Sequence, residues 1–292
     1  MKYGFVKTAC ATPQLRVADC VYNAASIVAC AQKAAHAGAE ILCFPELCIT
    51  GYTCGDLFFQ DTLLREAENA LSKIICETKD LSLLIIVGLP IRHNGKIFNC
   101  AAVMQKGNLL GLIPKTHIPN YNEFYEKRHF ACAPKENDTY TFQNTSVPFG
   151  SKILFQCQQS QDLCVAVEIC EDLWAPLPPS TQHAMAGAVL IANLSASDET
   201  IGKAEYRRNL VSGQSARLIC GYLYADAGDG ESTTDMVFAG HNLIAENGTL
   251  LAQSELFQND IIFSEIDVER LRGERLANTT FVTQHLSCSI RS

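Results

Sequence analysis

The chain has no run of five or more basic residues. It also has no continuous apolar run of the roughly 18 residues that a membrane helix needs. With a formal net charge of −8, the first absence excludes nucleic acid and an anionic membrane surface as electrostatic partners. The second excludes a helical membrane span. No secretory apolar region follows Met1-Lys2-Tyr3-Gly4-Phe5-Val6. No two cysteines form a C-x-x-C pair and no Cys/His pair has zinc-finger spacing, so no metal site is expected. These absences together point to a reduced, cytoplasmic setting. In that setting a sequon such as Asn193-Leu194-Ser195 carries no sugar.

What is present is a chain of 292 residues with a hydrophobic share of 48%. That suffices for one large domain or two small ones with a sizeable core. The 14 cysteines are scattered and read mostly as small buried apolar residues. Residues 3–10 predict a strand. Apolar residues at Cys20, Val21, Ala24, Ile27, Val28, Ala31 and Ala34 predict a helix over 17–35, stopped by Gly38. A strand over 39–45 then completes a β-α-β unit, and a helix follows over roughly 58–78. Strands 83–89, 97–105 and 109–113 form a meander, turned at Asn94-Gly95 and at Lys106-Gly107-Asn108. The stretch 114–150 is irregular and long enough to be a functional loop. Strands 152–157 and 163–169, a helix from the Pro-rich 176–179 to Gly187, strand 188–193, helix 203–217 and strand 219–225 follow. Asn247-Gly248 turns a hairpin between 236–245 and 249–253, and 261–267 is the last strand. This pattern predicts one α/β domain with mixed sheets and helices outside.

Three strand ends carry chemistry. The run Leu163-Cys164-Val165-Ala166-Val167 leads into Glu168-Ile169-Cys170-Glu171-Asp172-Leu173-Trp174. A strand end of an α/β sheet is where reactive groups sit, so Cys170 is a nucleophile candidate. Its plain alternative is one more core cysteine. The flanking carboxylates disfavour a thiolate, which calls for a base that takes the thiol proton at attack. Glu46, in Phe44-Pro45-Glu46-Leu47, also ends a buried strand. It is a base or a structural cap. Lys115, in Ile113-Pro114-Lys115-Thr116-His117, ends a third strand. It is an oxyanion partner or a solvated lysine. Strands of one sheet would bring these three ends together.

Glu46, Lys115 and Cys170 in that order resemble the Glu-Lys-Cys triad of the nitrilase superfamily. The resemblance narrows with Thr50-Gly51-Tyr52-Thr53-Cys54-Gly55-Asp56-Leu57-Phe58, with residues 119–130, with Val167–Trp174, with Asn193-Leu194-Ser195-Ala196-Ser197 and with Gly230-Glu231-Ser232-Thr233-Thr234-Asp235. These are similar to the N-terminal glutaminase domain of glutamine-dependent NAD synthetases and cover nearly the whole chain. The resemblance implies a nitrilase-like four-layer α-β-β-α sandwich over residues 1–275, with 276–292 a linker and tail. It implies that Glu46 is the general base, that Cys170 attacks the side-chain amide of L-glutamine, and that Lys115 and the N–H after Cys170 hold the oxyanion. Glu126 supports the lysine. Tyr121, Ser197 and Lys203 fall at positions that contact glutamine. Glu171 is a physical inference, since a zwitterionic substrate needs an anionic contact for its ammonium.

The same resemblance implies an ATP-dependent synthetase domain or subunit as partner. That partner amidates nicotinic acid adenine dinucleotide with the released ammonia. Its Ser-Gly-Gly loop is absent from these 292 residues, so ATP and Mg belong to the partner and the glutaminase reaction needs no cofactor. Homo-oligomers through the helical layers are expected. The alternatives are a stand-alone amidase for another small amide and a catalytically idle partner domain. Ser195 and Ser197 lie in no G-x-S-x-G elbow, and Gly202-Lys203 is no P-loop. His117, His129 and His241 lack ligand spacing. Tyr222 and Tyr224 read as packing or lining residues, and Arg207-Arg208 as a solvated helix face. Glu168 has no assignable role.

Overall fold

The structure is a computed structural model that describes residues 3–233, 235–281 and 289–291. β1 (Phe5–Ala11) leads to α1 (Cys20–His36) and β2 (Ile41–Cys43). Asp19 caps α1 by accepting from the Tyr22 N–H at 3.0 Å. Cys20, Ala24, Ile27, Val28, Ala31 and Ala34 face inward as expected, but Val21 points to solvent. It lies one position off the i, i+3, i+4 stripe that its neighbours define. Gly38 ends the turn with φ +82°, a conformation that glycine adopts freely.

α2 (Asp61–Glu77) packs beside α1. The meander is β3 (Leu84–His93), β4 (Lys96–Gln105) and β5 (Asn108–Pro114), each pair antiparallel. The stretch read as irregular contains a hairpin, β6 (Asp138–Phe142) and β7 (Thr145–Phe149). Gln143 and Asn144 turn it with positive φ at both positions, as a two-residue hairpin loop requires. These strands form one eight-stranded sheet, completed by β14 (Ile261–Asp267).

The second sheet is built on β8 (Ile153–Gln156), β9 (Cys164–Ile169), β10 (Leu190–Ser195), β11 (Gly221–Asp226), β12 (Leu243–Glu246) and β13 (Thr249–Gln253). Its first hairpin strand is shorter than expected, because 236–242 is not strand. β9, β10 and β11 run parallel and are buried on both faces, which explains their nearly continuous apolar runs. Three helices follow this sheet's turns: α3 (Glu171–Trp174), α4 (Pro179–Met185) and α5 (Lys203–Leu218). α6 (Val268–Ala277) continues directly from β14. A short strand, β15 (Ser289–Arg291), pairs with β8. It comes from the segment read as a tail.

Three apolar clusters separate four layers. One lies between α1/α2 and the first sheet. The second joins the two sheets, through residues such as Val6, Ile86, Val165, Val167 and Leu223. The third lies between the second sheet and α4/α5, through Ala166, Ala184, Ile191 and Val211. The architecture is the four-layer α-β-β-α sandwich. Among the described residues no helix is long and apolar enough to cross a membrane.

Candidate active site

The three catalytic candidates come together, but not as strand ends of one sheet. Glu46 follows β2 and Lys115 follows β5, both in the first sheet, whereas Cys170 follows β9 in the second. They meet because the sheets stack face to face, with β4 and β5 over β9 and β2 over β10. The Glu46 N–H donates across the layers to the Ser195 carbonyl at 3.3 Å.

The turn carrying Glu46 lies close against β3. A Cβ on Gly88 would stand 2.2 Å from the Leu47 nitrogen and 2.7 Å from the Pro45 oxygen. Only a residue without a side chain permits that approach. Glu46 itself is buried. Its Oε1 accepts from Lys115 Nζ at 2.6 Å and from Asn99 Nδ2 at 2.5 Å. Its Oε2 has no partner among the described residues. Lys115, fully buried, also donates to Glu126 Oε1 at 2.7 Å. Glu126 accepts in addition from the Tyr52 hydroxyl at 2.9 Å and from Asn99 Nδ2 at 3.4 Å. A lysine ammonium has three protons, so two are engaged and one remains to meet a ligand.

Burial pushes Glu46 up to about 7, against the opposing pull of Lys115. Burial also opposes a charged Lys115, yet Glu126 and Glu46 outweigh it and hold the ammonium protonated. Burial first, then the Glu46 carboxylate, raises the Cys170 thiol well above its ordinary value. Cys170 is therefore a thiol at neutral pH, so a nucleophilic role for it calls for a base that takes its proton. Its backbone has φ 44° and ψ −100°, a strained conformation for a non-glycine residue that recurs at functional sites.

That strain is held by a dense set of hydrogen bonds. The Cys170 N–H donates to the Leu194 carbonyl at 2.8 Å and to Asn193 Oδ1 at 3.2 Å. Asn193 Nδ2 meets the Tyr222 hydroxyl at 3.2 Å, and Tyr222 donates a short bond to Glu168. Glu168 also accepts from the Ser180 N–H at 2.8 Å. Glu168 thus has a role: it ties the start of α4 and, through Tyr222 and Asn193, the Cys170 turn. Asp172 binds the loop after Lys115 to the end of β9. It accepts from the N–H groups of His117 at 2.7 Å, Thr116 at 3.1 Å and Ile169 at 3.0 Å.

Three of the substrate-contact candidates, Tyr121, Glu171 and Lys203, gather around Phe124, and Ser197 lies buried behind them. The Tyr121 hydroxyl stands 2.9 Å from both oxygens of Glu171, and Glu171 is half-buried. Lys203 pairs with Asp198 and lies over the rings of Phe124 and Trp174, at 5.8 and 5.5 Å. Phe124 packs edge-on against Tyr121. Ser197 is buried, with its hydroxyl accepting from Arg207 Nη2 at 3.2 Å.

Arg207 corrects the expectation of a solvated face. It is fully buried because it points from α5 onto the turn that follows β10. Asn99 is a site residue that the sequence reading missed, and Tyr52, Asp172 and Asn193 lay in its motifs without an assigned role. Asn99 had a signal: an amide inside the apolar run Ile97–Val103 must find a polar partner. The others had none beyond their neighbours. Among the described residues no three His, Cys, Asp or Glu side chains gather as metal ligands.

Comparison with known proteins agrees with this fold. A profile of the family described as carbon-nitrogen hydrolase matches residues 7–275. The chain is 43% identical over 282 residues to the glutamine-dependent NAD(+) synthetase of Mycobacterium bovis, which covers 96% of this chain and 42% of that protein. The chain thus spans about two fifths of the length of the curated relatives it matches. The crystal structure of a glutamine-dependent NAD(+) synthetase from Cytophaga hutchinsonii superposes with a TM-score of 0.81 at 32% identity, over 90% of this chain and 43% of that one. An amidase of the nitrilase superfamily from Nesterenkonia AN1 shares the fold, with a TM-score of 0.70 at 17% identity, over 94% and 96% of the two chains.

Proposed function

The chain belongs to the carbon-nitrogen hydrolase family, and on that premise we propose that it hydrolyses the side-chain amide of L-glutamine and passes the ammonia to a synthetase partner. One observation carries the reading. A buried carboxylate, one oxygen of which has no donor among the described residues, stands on a protonated lysine, at a site where a strained turn presents a thiol.

Glu46 Oε2 takes the Cys170 proton as Sγ attacks the amide carbon. The developing oxyanion is met by the third proton of Lys115 and the N–H of Glu171. Collapse expels ammonia, with the proton returned from Glu46, and leaves a γ-glutamyl thioester. Glu46 then takes a proton from water, which attacks the thioester and releases glutamate and the thiol. Tyr121, Ser197 and Lys203 contact the substrate, Glu171 receives its ammonium, and Glu126 holds Lys115. The steps balance without a cofactor. ATP and Mg act in the partner, where the ammonia amidates nicotinic acid adenine dinucleotide. In this reading residues 1–275 are the glutaminase domain, the setting is cytoplasmic, and copies associate through the helical layers.

The test incubates the chain with L-glutamine and follows glutamate and ammonia, beside Cys170→Ala. The variant is expected to lose all turnover, and wild type to accumulate a mass adduct on Cys170. Equal release from both proteins would refute the assignment. A panel of asparagine and simple amides separates a glutaminase from a general amidase.

A further inference from the structure

Arg207 uses its guanidinium fork on one short segment. Nη1 donates to Glu199 Oε2 at 3.0 Å, and Nη2 donates to Ser197 Oγ at 3.2 Å and to the Asp198 carbonyl at 3.1 Å. Nη1 also lies 2.8 Å from His241 Nδ1. Burial first, and Arg207 next, push this imidazole down to about 4, so it is a neutral acceptor. Nε stands 3.9 Å from Asp226 Oδ2, and Asp226 Oδ1 accepts from the Ser197 N–H at 2.8 Å. Residues 197–199 are therefore gripped from both sides by one buried cation and its counter-ion.

Placing a guanidinium among carboxylates inside a protein is costly, and well-packed apolar residues often serve stability as well. Its planar fork, however, fixes several acceptors in one geometry. The segment it fixes adjoins Lys203, and Lys203 and Arg207 are i, i+4 neighbours on one face of α5. Asp198 pairs with Lys203, and Lys203 lies over Phe124 and Trp174, beside the rim where Tyr121 meets Glu171. The Lys203 ammonium and the Glu171 carboxylate thus share the rim, with Asp198 holding the lysine, and they supply the cation and anion that an amino acid's α-carboxylate and α-ammonium need.

We propose that Arg207 is a positioning residue for substrate specificity: it holds Ser197 and the Asp198–Lys203 pair so that the site selects a zwitterionic amide over a neutral one. This rests on the glutaminase reading. Arg207 touches neither Cys170 nor Lys115, so its loss changes recognition and leaves the reacting groups in place.

The test compares wild type, Arg207→Met and the charge-balanced double variant Arg207→Met/Asp226→Asn, which keeps an oxygen for the Ser197 N–H. Two readouts are taken: ammonia released from L-glutamine, and alkylation of Cys170 by iodoacetamide with and without L-glutamine as protectant. KM and the half-protecting glutamine concentration are expected to rise about tenfold or more in both variants, the effect of one lost charge-assisted contact. Alkylation without glutamine should stay within about twofold, because the thiol's own surroundings are intact. Equal losses of alkylation and glutamine hydrolysis in the double variant would reduce Arg207 to a structural residue and overturn the proposal. So would unchanged KM and protection. A wild-type chain that alkylates at Cys170 but neither binds nor hydrolyses glutamine would instead overturn the glutaminase reading, and this inference with it.

Discussion

Asn99→Leu is the perturbation that best separates the base chemistry from the fold. The two side chains are similar in size, and Asn99 is fully buried. The backbone bond from the Lys115 N–H to the Asn99 carbonyl at 2.8 Å survives the change. What disappears is the Nδ2 donor, 2.5 Å from Glu46 Oε1. A hydrogen bond to a charged group is worth about 1.5–3 kcal/mol. At about 1.4 kcal/mol per pKa unit, its loss raises the carboxyl by roughly one to two units. Burial already holds Glu46 near 7, so the variant's base titrates clearly above neutrality.

The sign follows from the role. A base works deprotonated, so wild-type kcat/KM should rise with pH through about 7. In Asn99→Leu the same limb moves to higher pH. Activity at neutral pH drops about 5- to 50-fold, because the wild-type base is already about half protonated near its midpoint of about 7, and returns in alkaline buffer. Glu46 titrates against the Lys115 ammonium beside it, so the limb is read as one apparent value. The assay is a pH series of glutamine hydrolysis under kcat/KM conditions, with denaturation curves to exclude unfolding. A uniform loss at every pH, with the limb unmoved, would refute the claim that Asn99 sets the base.

Two other changes probe the supports of the site. Gly88→Ala places a methyl 2.2 Å from the Leu47 nitrogen, so it should cost at least about 1–3 kcal/mol in urea denaturation and lower kcat/KM as the Glu46 turn shifts. A variant that matches wild type in both would refute the close-approach argument. Burial raises Glu168 from 4.5 to about 7; its contribution to stability is fully present below pH 4.5 and fades as pH rises through about 7. Integrated over that window the loss is about 3 kcal/mol, so stability should fall from mildly acid to mildly alkaline buffer, and Glu168→Gln should flatten that fall. An identical pH slope in the variant would show that Glu168 is not its source.

Much of the fold was legible because its signals are local. Hydrophobic spacing located α1, the helices read over 58–78 and 203–217 correspond to α2 and α5, and Asn94-Gly95 and Asn247-Gly248 marked two hairpins. The β6–β7 hairpin escaped because its strands are half-polar and its turn is Gln143-Asn144 rather than a glycine turn. The strand-end positions of Glu46, Lys115 and Cys170 were legible too. That they come from two facing sheets was not, because sheet stacking is set by contacts far apart in sequence. Arg207 was misread for a related reason. A charged residue on a helix usually faces water, and only the fold brings Glu199, Asp226 and His241 around it.

The carboxylates crowding Cys170 raise one question: why a nucleophile stands amid so much negative charge. Counting their donors answers it. Glu126 is filled by Lys115 and Tyr52, with Asn99 farther off. Asp172 is filled by three backbone N–H groups, and Glu168 by Tyr222 and Ser180. Each of these is a fastening whose acceptors face the protein. Two acceptors remain. Among the described residues Glu46 Oε2 has no donor, and Glu171 meets one phenol proton with two oxygens. A buried acceptor without a donor, as at Glu46 Oε2, costs free energy, and the half-buried Glu171 has more acceptor capacity than one phenol proton fills, so both gain when a ligand or reacting proton arrives. In the glutaminase reading these two vacancies match the two protons that arrive with catalysis, one from the Cys170 thiol and one from the substrate's ammonium. Glu46→Gln and Glu171→Gln should therefore differ in kind. The first abolishes turnover with glutamine still protecting Cys170, and the second weakens protection. Indistinguishable profiles for the two would break that division of roles.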